Sequence, residues 1–148
     1  MNKKYFLIFS TAVIAVILDQ FTKFLVRRNF QLNDSFAVIN KFLYLTYVTN
    51  TGTAFGLFKG VNAVFVFISF AVLIFIFYFM MQIQENDRLM QLSLGLLLAG
   101  TLGNLIDRLA YGHVIDFIDF RFWPVFNVAD SAVSVSIIIL IILLWKKK

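Results

Sequence analysis

Apolar positions along the chain fall into four long runs separated by polar breaks. The runs span about Tyr5 to Val26, Asn62 to Met81, Leu89 to Leu109 and Asn127 to Trp145. Each approaches the roughly 20 residues of helix needed to cross a hydrocarbon core. The pattern predicts an all-α membrane protein of four transmembrane helices in a single domain over residues 1–148. Only Gln82 to Arg88 separates the second run from the third, so those two are expected to be antiparallel neighbours. Two early lysines before an apolar run imitate a secretory signal. No small-residue cleavage site follows, and the run continues past Asp19 and Lys23, so a retained span is expected.

Polar positions break this pattern on one side. Antiparallel alternation brings together the end of span one, the start of span two, the end of span three and the start of span four. Asp19 and Lys23 lie at the first of these, and Asn50 to Gly56 precede the second. Asn104, Asp107 and Arg108 end span three, and Asn127 and Asp130 begin span four, with Asp116 and Asp119 in the intervening loop. Asp19 and Lys23 are spaced i,i+4 and can pair, and Asn104 and Arg108 are likewise i,i+4, with Gly100 one turn earlier. Asn127, Asp130 and Ser134 share one face of span four. Ionisable groups at membrane depth are costly and face a bundle interior or a wet cavity, so this convergence marks a site. Ala99, Gly100 and Gly103 are small enough to let span three approach a neighbour closely.

The connection from about Phe30 to Gly60 is too long for a simple link. Its stretch from Lys41 to Thr49 is rich in β-branched and aromatic residues, and Asn50 to Thr53 reads as a turn. A small antiparallel sheet over the polar face is expected, with Phe36, Phe42, Phe55 and Phe58 as interfacial anchors.

Composition sharpens the membrane reading. Hydrophobic residues make up 61% and charged residues 14% of the 148, with 19 Phe and one Pro. Globular domains have roughly 45–50% and about 25%. The mean hydropathy is +0.87. The net charge of +5 resides largely in Lys3, Lys4 and Lys146 to Lys148 beside apolar runs, which suits anionic membrane lipids rather than nucleic acid. With both termini on one side, that side holds Lys3, Lys4, Arg88 and the three terminal lysines. The other holds Lys23, Arg27, Arg28, Lys41, Lys59, Arg108 and Arg121, so charge alone gives no orientation. The absence of Cys excludes thiolate chemistry and disulfides, and a single His excludes a zinc site of the H-E-x-x-H kind.

The chemistry left is that of carboxylates. Two held close cannot both ionise cheaply, so one stays protonated and the other charged. Such a pair can deprotonate a water attacking a peptide carbonyl and then protonate the leaving amine. Asp130, inside an apolar span, is the strongest candidate. Taken singly, Asp116 and Asp119 read more readily as loop acids paired with Arg108 or Arg121 than as catalytic groups. Asp107 beside Arg108 reads as an ion pair tying a helix end to a loop, and Arg108 as a group able to hold a carbonyl or carboxylate. Ser131, Ser134 and Ser136 read as packing residues, His113 receives no role, and the Phe-rich face of span two reads as lipid-facing.

Four blocks resemble bacterial lipoprotein signal peptidase, the type II signal peptidase family. They are Asp19-Gln20-x-x-Lys23, Asn50-Thr-Gly52-Thr-Ala54-Phe55, Gly103-Asn104-x-x-Asp107-Arg108-x-x-x-Gly112-x-Val114-x-Asp116-Phe117, and Trp123-Pro124-Val-Phe126-Asn127-x-Ala129-Asp130. In order and at matching places among four spans, they cover essentially the whole chain. The departures are Ala99-Gly100 where Gly-Gly is frequent and Thr53 where Ala is frequent. The resemblance implies an aspartyl endopeptidase with Asp116 and Asp130 as its dyad, selecting Asp116 over Asp119. It implies that Asn50, Gly52, Asn104, Arg108 and Asn127 bind substrate or hold the dyad, with Asp19 and Lys23 in support. It implies a diacylglyceryl-modified prolipoprotein as substrate, cut just before the lipidated Cys, with no metal or cofactor. It further implies a monomer in the bacterial cytoplasmic (inner) membrane, with cytoplasmic termini and a site toward the outer face.

Two rivals remain from the residues alone. A small proton-coupled transporter would use Asp19 or Asp130 as its coupling site. A Mg²⁺-dependent phospholipid transferase would draw on Asp107, Asp116 and Asp119.

Overall fold

In the computed structural model, which describes residues 3–52 and 62–146, the chain forms four helices and a three-stranded sheet. Helix α1 covers Lys3–Asn29, α2 Asn62–Gln82, α3 Arg88–Tyr111 and α4 Val128–Lys146. All four are long and apolar enough to cross a membrane. The expected spans are found, each slightly longer than its apolar run except α4, whose start is displaced by one residue because Asn127 is its cap. Thr53 to Val61, which hold the expected anchors Phe55 and Phe58 and the Thr53 end of the expected turn, lie outside the described residues.

Helix α3 is the centre of the bundle. In its membrane window 61% of residues are buried, against 17% in each of the other three. It starts at Asp87, whose side chain accepts from the Met90 N–H, and ends at Gly112, whose φ of 76° supplies the left-handed turn. The outward faces of the other helices are apolar and exposed, as at Phe67 and Ile74 of α2. That distribution inverts the rule for water-soluble folds and suits lipid as solvent.

Close packing explains why α3 can serve as the hub. A Cβ at Gly100 would collide with the Ala129 carbonyl oxygen and a Val133 methyl of α4, and one at Gly103 with the Asp19 carboxylate of α1. Farther along the same interface Ser93 and Ser136, both fully buried, bond across it. Ser136 Oγ donates to the Ser93 carbonyl at 2.8 Å, and Ser93 Oγ to that of Ser136 at 3.1 Å. Away from the polar residues, Ile8 and Ala12 of α1, Ile76 and Met80 of α2, and Leu94 and Leu98 of α3 form an apolar core.

The sheet contains strands β1 (Ser35–Ile39), β2 (Leu43–Asn50) and β3 (Val114–Asp119) in the order β1-β2-β3, all antiparallel. The β1–β2 hairpin turns through Asn40 and Lys41, with Lys41 at a φ of 63° and the Phe42 N–H donating to the Ile39 carbonyl at 3.0 Å. The expected sheet is therefore present, but the segment expected to be a loop around Asp116 is its third strand. Val114 to Asp119 is almost wholly buried on both faces, so its sequence lacks the apolar–polar alternation of a surface strand. Val26 of α1 packs on Ile115 and Phe117, seating the sheet on the end of the bundle.

The Gly100 contact yields a test. Gly100→Ala forces α3 and α4 apart and is expected to destabilise the protein by about 1–3 kcal/mol. Gly112→Ala meets no neighbour and pays only for its positive φ, about 1 kcal/mol. Thermal unfolding in detergent should rank Gly100→Ala as the more damaging; the reverse order would contradict the close approach.

Candidate active site

Asp116 and Asp130 reach the same cleft from different elements. Asp116 is carried by β3, where pairing with Val48 of β2 fixes its place. Asp130 lies in the first turn of α4. Asn127 caps that helix reciprocally: its Oδ1 accepts from the Asp130 N–H at 2.9 Å, and Asp130 Oδ2 accepts from the Asn127 N–H at 3.2 Å. The same Asn127 side chain donates through Nδ2 to Asp116 Oδ1 at 2.6 Å. One residue thus touches both carboxylates.

Further amides hold the remaining oxygens. Asn50, at the end of β2, donates to Asp116 Oδ2 at 3.1 Å, and the Gly52 N–H donates to Asn50 Oδ1 at 3.0 Å, orienting that amide. Asn104 of α3 donates to Asp130 Oδ1 at 2.8 Å. Its own Oδ1 accepts from Asn127 Nδ2 and from Lys23 Nζ, each at 3.1 Å. Asp116 is 2% exposed. Burial pushes its carboxyl up to about 7, and the negative charge of Asp130 adds to the rise, against the Asn50 and Asn127 donors and the positive charge of Lys23. A carboxyl so placed can keep a proton at neutral pH, which general acid–base chemistry requires.

A second polar group lies behind these residues. Lys23 pairs with Asp19 at 2.8 Å, as expected, and also with Asp107 at 2.9 Å. The expected Asp107–Arg108 pair is absent. Asp107 is fully buried and turns toward α1 and β3, accepting from Gln20 Nε2 at 3.0 Å and the Ile115 N–H at 3.0 Å. Asp107 does tie the helix end to the following segment. Asp119 points elsewhere, accepting from Thr46 Oγ1 at 2.7 Å and pairing with Arg121 at 3.5 Å. Asp107, Asp116 and Asp119 consequently face different partners and do not converge as a carboxylate cluster for Mg²⁺ would require.

The cleft has a volume of about 710 Å³ and is lined by Asn50, Gly52, Asn104, Arg108, Asp116 and Asp130 on its polar side. Phe65, Val114, Trp123 to Phe126, Val133 and Val135 form its apolar walls. Arg108 lies with its Cζ 5.2 Å from the centre of the Phe65 ring, and among the described residues it makes no ion pair. Ser131 and Ser134, expected to pack, line the cleft instead, while Ser136 is buried in the α3–α4 interface. The sequence reading missed the roles of Phe65, Trp123 and Gln20, and the buried part played by Asp107. The spacing of three between Asn104 and Asp107 was a usable signal, since it puts both on one helical face. The walls had no such signal, because they come together only through the fold.

Known proteins agree with this architecture. The family described as signal peptidase (SPase) II matches residues 11–146. A lipoprotein signal peptidase of Moorella thermoacetica is 47% identical over 129 residues, covering 87% of this chain and 86% of that protein. One from Staphylococcus aureus is 41% identical over 152 residues, covering 99% and 93%. Two solved structures, each described as a bacterial membrane enzyme, superpose with TM-scores of 0.91 and 0.89 at 41% identity. They cover 99% and 100% of this chain and 93% and 99% of their own. The match extends through all four spans and both carboxylate-bearing segments, and the chain belongs to the signal peptidase II family of multi-pass membrane proteases.

Proposed function

We propose that this protein removes the signal peptide from diacylglyceryl-modified prolipoproteins, cutting just before the lipidated Cys, with Asp116 and Asp130 as its catalytic dyad. The observation carrying this reading is the pair formed by the buried Asp116 and the half-buried Asp130, both held by one Asn127 in an apolar-walled cleft. Family membership favours it over the transporter and the phospholipid transferase.

The chemistry follows from the pair sharing one proton. The charged carboxylate takes a proton from a water as it attacks the scissile carbonyl carbon. The protonated carboxyl meanwhile hydrogen-bonds the carbonyl oxygen, and on collapse a proton passes to the leaving amine. The titration belongs to the two residues together. Asn50, Gly52, Asn104 and Asn127 hold the dyad and the substrate backbone, and Arg108 offers guanidinium donors to a substrate carbonyl. The apolar walls exclude stray water, which strengthens each of these interactions.

Placement follows from the same reading. A lipidated Cys keeps its acyl chains among membrane lipids, so its scissile bond lies at membrane level. We place both termini on the cytoplasmic side of the bacterial inner membrane and the cleft toward its outer face. Because every site residue comes from one chain, a monomer suffices.

Five outcomes test the proposal. A gel-shift assay on purified diacylglyceryl-prolipoprotein, in detergent with EDTA, should show cleavage by the wild type. Asp116→Asn and Asp130→Asn should lower the rate at least about 10²-fold while remaining folded. Asp119→Asn should be much milder, and equal loss there would remove Asp116 from the dyad. The rate should also fall as pH rises through about 7, the value to which burial lifts Asp116, where the pair loses its shared proton and carries two negative charges. The same shift has a stability sign. The folded state holds this proton more tightly than the unfolded chain, whose ordinary value is 3.8. Its stabilising contribution is therefore complete below 3.8 and lost as pH rises through about 7. Thermal unfolding of Asp116→Asn should lack that dependence, and an unchanged pH profile would contradict it.

A further inference from the structure

Each residue of the proposed dyad follows a backbone N–H that is held by a different buried carboxylate. The Ile115 N–H, immediately before Asp116, donates to Asp107 Oδ2 at 3.0 Å. The Ala129 N–H, immediately before Asp130, donates to Asp19 Oδ1 at 2.8 Å. These two carboxylates come from different helices, α3 and α1, and one ammonium joins them. Lys23 Nζ lies 2.8 Å from Asp19 Oδ2 and 2.9 Å from Asp107 Oδ2. An ammonium has three donors. The third reaches Asn104 Oδ1 at 3.1 Å, which turns the Asn104 amide so that its Nδ2 meets Asp130 Oδ1 at 2.8 Å. Gln20 Nε2 closes the arrangement from the other side, 3.1 Å from Asp19 Oδ2 and 3.0 Å from Asp107 Oδ1. Lys23 is 2% exposed and does not line the cleft.

We propose that Lys23 is the positioning residue of the peptidase reaction: by bridging Asp19, Asp107 and Asn104 it fixes the separation and mutual orientation of the segments bearing Asp116 and Asp130. This inference rests on the reading of those two residues as the catalytic pair. The ammonium touches neither substrate nor the reacting atoms, and it acts through backbone and amide hydrogen bonds. Its geometry is specific. An arginine keeps the charge but presents a planar fork, which does not match three acceptors arranged around a point. A neutral side chain leaves Asp19 and Asp107 facing each other as like charges. Small displacements matter at such a site, since about 1 Å of misplacement costs on the order of 10²-fold in rate.

The test separates geometry from folding. Lys23→Met is expected to lower both thermal stability and kcat. Adding Asp107→Asn removes the like-charge repulsion and restores the net charge of the group, while keeping a carbonyl oxygen for the Ile115 N–H. In Lys23→Met/Asp107→Asn, thermal stability should return toward that of the wild type. Its kcat should stay about 10²-fold low with KM little changed. Lys23→Arg should be folded and similarly slow. Recovery of kcat along with stability in the double variant would overturn the proposal. So would failure of that variant to fold, because Lys23 would then serve the fold rather than the pair. Wild type and Asp116→Asn run beside these variants keep the two readings apart. Cleavage that survives Asp116→Asn removes the dyad itself. A dyad that holds while folded Lys23 variants cleave at the wild-type rate removes only the role of Lys23.

Discussion

Polar groups within a bilayer must find partners inside the protein, and this demand governs the whole structure. Water is not there to satisfy a stray amide or carboxylate, and each one left alone costs several kcal/mol. The layer from Asp19 to Asp130 meets the demand by having side chains from three helices and one strand satisfy one another. That is possible only because the backbones come close. Gly103 leaves room for the Asp19 carboxylate, and Gly100 lets α4 lie directly against α3. The small residues of α3 therefore serve the chemistry as much as the packing.

The layer is divided into two compartments with different electrostatics. Asp19 and Asp107 share one cation, and each also accepts a backbone N–H where it is buried. Asp116 and Asp130 are held mainly by neutral amides, which orient a carboxylate but supply no full countercharge. The same residue type thus meets a cation in one place and only neutral donors in the other. The N-terminus of α4 bears on both, its first-turn N–H groups meeting Asp19 and the Asn127 cap.

Much of this was legible in the sequence, for identifiable reasons. Four spans stand out because a bilayer imposes a minimum length on apolar runs. Asp130 stands out because a carboxylate inside such a run needs a cause. Asp19 and Lys23 pair as their spacing allows. Strand β3 was not legible: six residues buried on both faces carry no alternation, and partner β2 lies more than sixty residues earlier. The second partner of Lys23 was hidden for a related reason. Periodicity relates residues on one helix, whereas Asp107 meets Lys23 through the packing of two. The choice between Asp116 and Asp119 likewise depends on strand orientation. On β3 one turns to Asn127 and the other to Thr46 and Arg121.

The span α1 supplies Asp19 and Lys23, while the segments they hold emerge more than eighty residues later. In chain order α1, α2 and α3 all precede the α4 residues that complete the layer. Only when α4 enters and its first turn meets Asp19 do the two halves of the site come together. The order of synthesis thus leaves Asp19 and Asn104 without these partners until α4 has been made.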